Sequence, residues 1–102
     1  ALSQYKPNPI SKISAFNSGK KLLEESILSD SSNIEIRYIR FTIQDNVPFI
    51  LGYNGEKAVD KLFLINKIHS IKISDPDLYS RVCTYLLLRT KLASHERALI
   101  TN

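Results

Sequence analysis

The segment NIEIRYIRFTI, residues 33–43, decides the fold class, because its isoleucines favour a strand while their spacing favours a helix. A strand with one buried face alternates apolar and polar side chains. Ile34, Ile36 and Tyr38 keep that alternation, but Ile39, Phe41 and Ile43 take the opposite parity. A strand would therefore need a bulge at Tyr38 and Ile39, or burial on both faces. On a helix, at about 100° per residue, the same side chains sort cleanly. Ile34, Tyr38 and Phe41 form one stripe, and Ile36, Ile39 and Ile43 form an opposite one. Arg37, Arg40 and Gln44 line a third face, with Glu35 and Thr42 across from them. Ser32 followed by Glu35 reads as a capping box at the helix start, and Val47 before Pro48 reads as its end. The β-branched residues cost a few tenths of a kcal/mol each, whereas each buried aliphatic side chain contributes about 1.5 to 3 kcal/mol. Burial wins, and the pattern predicts a helix held between two packed neighbours.

Punctuation divides the rest of the chain into further helices. Asn8-Pro9 caps and opens one that runs to about Ser29, with Ile13, Phe16, Leu23 and Ile27 on its apolar face. Gly19 in its middle costs up to about 1 kcal/mol, which a local kink or, in preference, close approach of a neighbouring helix would explain. The short polar link from Asp30 to Asn33 predicts an antiparallel hairpin with the next helix. PFILGYNG is a compact apolar link, after which Asn54 is the expected cap of a helix from about Gly55 to His69. Its predicted face is Ala58, Val59, Leu62, Phe63 and Ile65. Ser74 to Asp77 forms another box, with Pro76 in the first turn of a helix reaching Thr90. Leu78, Val82, Tyr85, Leu86 and Arg89 follow there at helical spacing, and Ser94 to Ile100 adds a short final element that returns Leu99 and Ile100 to the core. With 102 residues the chain suits one core. The expectation is a single all-α domain over residues 1–102: an irregular antiparallel stack of four main helices plus a short C-terminal helix.

Apolar residues at 43% and charged residues at 24% exclude the composition of a disordered chain. No apolar run approaches the roughly 18 residues of a membrane span, and ALSQYKPNPI lacks the pattern of a signal peptide. Cys83 stands alone, so no internal disulfide is expected. The net charge of +4 is spread along the chain rather than gathered in a block, which reads as a solvated, mildly basic surface and makes nucleic acid an unfavoured partner.

LLEESILSDSSNIEIRYIRF, residues 22–41, resembles the junction between successive tetratricopeptide helices. Together with NPISKISAFNSGKKLLEESI and IQDNVPFILGY, and more weakly DPDLYSRVCTYLLL, it is similar over about residues 8–54 to an uncharacterised family of bacterial helical proteins, tetratricopeptide-like. The resemblance implies an all-helical fold and, since longer family members tend to be exported, an exported or periplasmic setting. It implies no reaction chemistry. Ser31 stands where the repeat turn usually has proline, and no 34-residue period recurs, so the implied stack is irregular.

No constellation predicts catalysis, a cofactor or a metal. His69 and His95 lie far apart, neither has the ligand spacing of a zinc site, and His95-Glu96 lacks a second histidine four residues on. With three glycines and no glycine-rich loop, a phosphate nest is hard to build. Adjacent Glu24 and Glu25 point in different directions on a helix. The most specific polar feature is the row Arg37, Arg40 and Gln44, which could grip a partner's carboxylates or phosphates through forked hydrogen bonds. The alternative is internal pairing with Glu24, Glu25 or Asp60. Tyr5, Phe49, Tyr53 and Tyr79 fall near element ends, where aromatics line a groove or close the core. The functional expectation is a non-enzymatic helical scaffold that binds a protein or peptide. The rival is a small nucleic-acid-binding β-barrel with IEIRYIRFTI, VPFILGY and KLFLINKIHSIKI as strands.

Overall fold

The isoleucine-rich segment is helical. The computed structural model describes residues 9–101, without the side chains of residues 9–11 and 13. Tyr5, Asn8 and the side chain of Ile13 lie outside the described residues. Five α-helices follow in order: α1 (Pro9–Ser29), α2 (Ile34–Asn46), α3 (Lys57–Lys67), α4 (Pro76–Arg89) and α5 (Ser94–Thr101). Short 3₁₀ turns at Phe49–Leu51 and Ile68–Ile71 complete them. No strand occurs among the described residues, which removes the β-barrel. Nor is any described helix long and apolar enough to cross a membrane.

Two compact units divide at Ser31 and Ser32. The first carries α1, where Ser26 and Ser29 hydroxyls donate to the carbonyls of Leu22 and Glu25, four residues back. Gly19 departs from expectation. A Cβ built there meets open space, so crowding does not account for the glycine.

In the second unit the helix boundaries follow local chemistry. Asn33, not Ser32, caps α2: its side-chain oxygen accepts from the Ile36 amide at 3.1 Å, and its carbonyl accepts from Arg37. The helix stops where expected, with Val47 extended before Pro48. Gly52 then turns the chain in the left-handed region at φ 68°, a conformation that glycine adopts without a side-chain penalty. Asn54 does not cap α3 through its side chain. The helix starts at Lys57 after Glu56, which makes no capping bond, and it gives way to the 3₁₀ turn at Ile68. Asp75 caps α4 in place of Ser74, accepting from the Leu78 amide at 3.1 Å, with Pro76 opening the helix. Before α5, the Glu96 carboxylate accepts from the Ala93 amide at 2.9 Å.

One core joins these helices. It contains Ile34 and Phe41 from α2, Leu64 and Ile65 from α3, Ile68 from the 3₁₀ turn that follows it, Leu78, Val82 and Leu86 from α4, and Ile100 from α5. Tyr38 and Phe41 meet the Tyr85 ring edge-on at 5.9 and 6.0 Å, so the first predicted stripe of α2 is the core stripe. The second stripe is not the other buried face: Ile39 is exposed and Ile36 and Ile43 are half-buried. Arg40 and Gln44 are buried instead. On α3 Ile65 is buried and Phe63 packs on the core as expected, but the face is partly rotated, since Asp60 and Leu64 are fully buried while Ala58, Val59 and Leu62 are exposed. Ile100 enters the core as expected, but Leu99 does not.

Candidate functional site

The geometry of α2 and α3 turns Arg37 and Arg40 of the row onto a buried acid and buries Gln44, so the three do not form a projecting line. The Arg40 guanidinium forks onto Asp60, Nε to Oδ2 and Nη2 to Oδ1, both at 2.7 Å. Arg37 adds Nη1 to Oδ1 at 2.8 Å and lays its guanidinium over the Phe63 ring, 4.3 Å from the centroid. Charge-assisted forks of this kind are the stronger class of protein hydrogen bond, and stacking on an aromatic face adds a cation–π attraction. Asp60 is entirely out of water, so both cations compensate a carboxylate that water does not solvate. Gln44, one turn beyond Arg40, is buried, and among the described residues neither of its amide atoms has a hydrogen-bond partner.

A different set of cations surrounds open space. Where the end of α2, the start of α3 and the end of α4 come together, a recess of about 330 Å³ is lined by Phe41, Asp45, Lys57, Lys61, Arg89, Thr90 and Lys91. Lys57, Lys61, Arg89 and Lys91 thus face a single lining carboxylate, Asp45. That carboxylate is already shared: it accepts from the Tyr85 hydroxyl at 2.7 Å and pairs with Lys57 at 3.1 Å. Burial first, and then the bond to Asp45, push the Tyr85 phenol above its ordinary range, which keeps it a neutral donor. The Lys61 ammonium donates to the Lys91 backbone carbonyl, a neutral acceptor that leaves its charge uncancelled. Thr90 points its hydroxyl back to the Leu86 carbonyl at 2.6 Å.

The start of α3 adds to this positive potential, while the C-terminal ends of α2 and α4 oppose it. Lys57 and Lys61 sit in the first turns of α3, where the macrodipole is also positive and cations are disfavoured. They are a like-charge pair four residues apart, a further small cost to the helix. An arrangement that opposes local helix stability in this way is suited to receiving an anion.

The remaining polar residues are engaged elsewhere. His69 donates from Nε2 to the Leu99 carbonyl at 2.7 Å, and the Tyr79 hydroxyl stands 3.4 Å from its Nδ1. Burial pushes the Cys83 thiol up, outweighing the opposite pull of Tyr79 and Lys72, so the thiol is a poor nucleophile. Among the described residues no three of His, Cys, Asp and Glu gather as metal ligands. Of the aromatics near element ends, Tyr53 is buried, Tyr79 packs on the core and Phe49 is exposed. The recess went unseen in the sequence because its lining is drawn from three helix ends between residues 41 and 91. Its one local signal is the pair of lysines in the first turns of a helix. No protein-family model, curated protein or solved structure matches this chain.

Proposed function

We propose that this chain is a non-enzymatic helical interaction module, built as an irregular tetratricopeptide-like stack, that binds an acidic segment of a protein partner. The observation that carries the reading is the recess with four lining cations and one already shared carboxylate. Carboxylate groups entering it would meet lysine ammoniums and the Arg89 guanidinium in a partly enclosed space, where attraction is screened less than on an open surface.

The test is calorimetric titration of the full chain with a glutamate-rich peptide at low and at physiological salt. The reading expects saturable binding that weakens as salt rises, and a loss of at least tenfold in the Lys57→Gln, Lys91→Gln double variant. Tight binding of an oligonucleotide with none of the peptide, or peptide binding untouched by the double variant, contradicts it.

A further inference from the structure

Resting on the acidic-segment reading, we infer that the partner segment also carries a bulky apolar residue, which seats in a second recess beside the basic one. This recess, of about 410 Å³, is lined by Tyr38 from α2 and by Ser80, Arg81, Thr84, Tyr85, Leu88 and Arg89 from α4. Arg89 lines both recesses, and Tyr85 of the second donates its hydroxyl to Asp45 of the first at 2.7 Å, so the two adjoin. The Arg89 guanidinium lies 5.7 Å from the Tyr85 ring centroid, which places cation and aromatic surface together where the recesses meet.

The character of the second recess differs from that of the first. Tyr38 and Tyr85 form an edge-on aromatic pair on its inner side, and Leu88 leaves 76% of its surface exposed. Arg81 is paired with Asp77 at 3.1 Å on the helix surface. Aromatic rings and an exposed leucine gain by being covered with an apolar side chain, and the neighbouring cations fix what that side chain must be attached to. The Arg89 side chain borders both recesses, and an extended chain advances about 3.3 Å per residue, so a segment of a few residues reaches past it. The occupant is therefore a short linear segment with a leucine, phenylalanine or similar residue within about three positions of paired acids. The carboxylates supply attraction and approach, and the apolar anchor supplies selectivity among acidic segments.

Three synthetic peptides of equal length separate the claims when titrated into the full chain by fluorescence anisotropy. One carries the acids and a phenylalanine, the second replaces phenylalanine with serine, and the third keeps phenylalanine and replaces the acids with glutamine. The first should bind at least tenfold tighter than the second, and the third should bind weakest. Leu88→Ala should bring the first peptide down toward the second while leaving the second unchanged, with circular dichroism confirming that the helices persist. Equal binding of the first and second peptides overturns the apolar anchor and leaves the acidic-segment reading standing. Failure of both, on a chain that also ignores the Lys57→Gln and Lys91→Gln changes, overturns the two together.

Discussion

Two groups of basic side chains, less than a helix apart in places, do opposite things in this molecule. Arg37 and Arg40 converge on Asp60, whose carboxylate is completely buried, and their hydrogen-bonding capacity is directed inward. Lys57, Lys61, Arg89 and Lys91 converge on a cavity whose one lining acid among the described residues, Asp45, is already held by Tyr85 and Lys57. The position of the carboxylates, rather than the spacing of the cations, separates a structural cluster from a binding one. A buried charge pair is costly to assemble, yet removing one member leaves the other uncompensated. The recess cations carry no such dependence, since even the Lys57–Asp45 pair is partly exposed to water, and they can be changed with little effect on stability.

The largest expected effect tests the buried side of this contrast. Asp60→Ala leaves two guanidiniums without their acid and should destabilise the fold by about 3 to 5 kcal/mol, read from urea denaturation. Arg37→Ala combined with Arg40→Ala should lower the melting temperature for the reciprocal reason, and an unchanged melting temperature would break the comparison. The recess side comes next. Lys57→Gln with Lys91→Gln should weaken acidic-peptide binding at least tenfold, about 1.4 kcal/mol, while the melting temperature stays close to that of the parent chain. A smaller change sharpens the picture of α2: Gln44→Leu removes buried amide atoms that have no partner and should raise stability by about 1 kcal/mol.

The smallest effect concerns pH. Tyr85 has its phenol raised by burial and by Asp45, so the folded state keeps the proton after unfolded tyrosine has released it. Its stabilising contribution is complete below the ordinary phenol range and is lost as pH climbs through the folded value. Stability should therefore fall on the alkaline side, and Tyr85→Phe should reduce that slope in denaturation curves taken across alkaline pH.

The helical nature of residues 34–46 was legible because the apolar period and the stop at Pro48 are local features of the chain. The cap was legible only to within a residue, since Ser32 and Asn33 both carry suitable oxygens and only backbone geometry chooses Asn33. The rotation of α2 and α3 was not legible from apolar period alone. Asp60 and Arg40 are separated by twenty positions, and a pattern that assigns charged side chains to the surface places Asp60 outside, although it was a weighed partner for the arginines. Once those charges are seen to neutralise each other, Leu64 and Ile65 fall on the buried face beside Asp60, and Ile39 falls outside. The recess was least legible, because Asp45, Lys57 and Lys91 meet only when three helix ends have been brought together.

The contrast between the two basic clusters is tested most directly by nitrogen-15 correlation spectra of the full chain, recorded during titration with a glutamate-rich peptide. The account predicts the largest amide shifts at Lys57, Lys61, Arg89 and Lys91, with Arg37, Arg40 and Gln44 nearly still. Shifts centred on Arg37 to Gln44, with Lys57 and Lys91 unmoved, would contradict it.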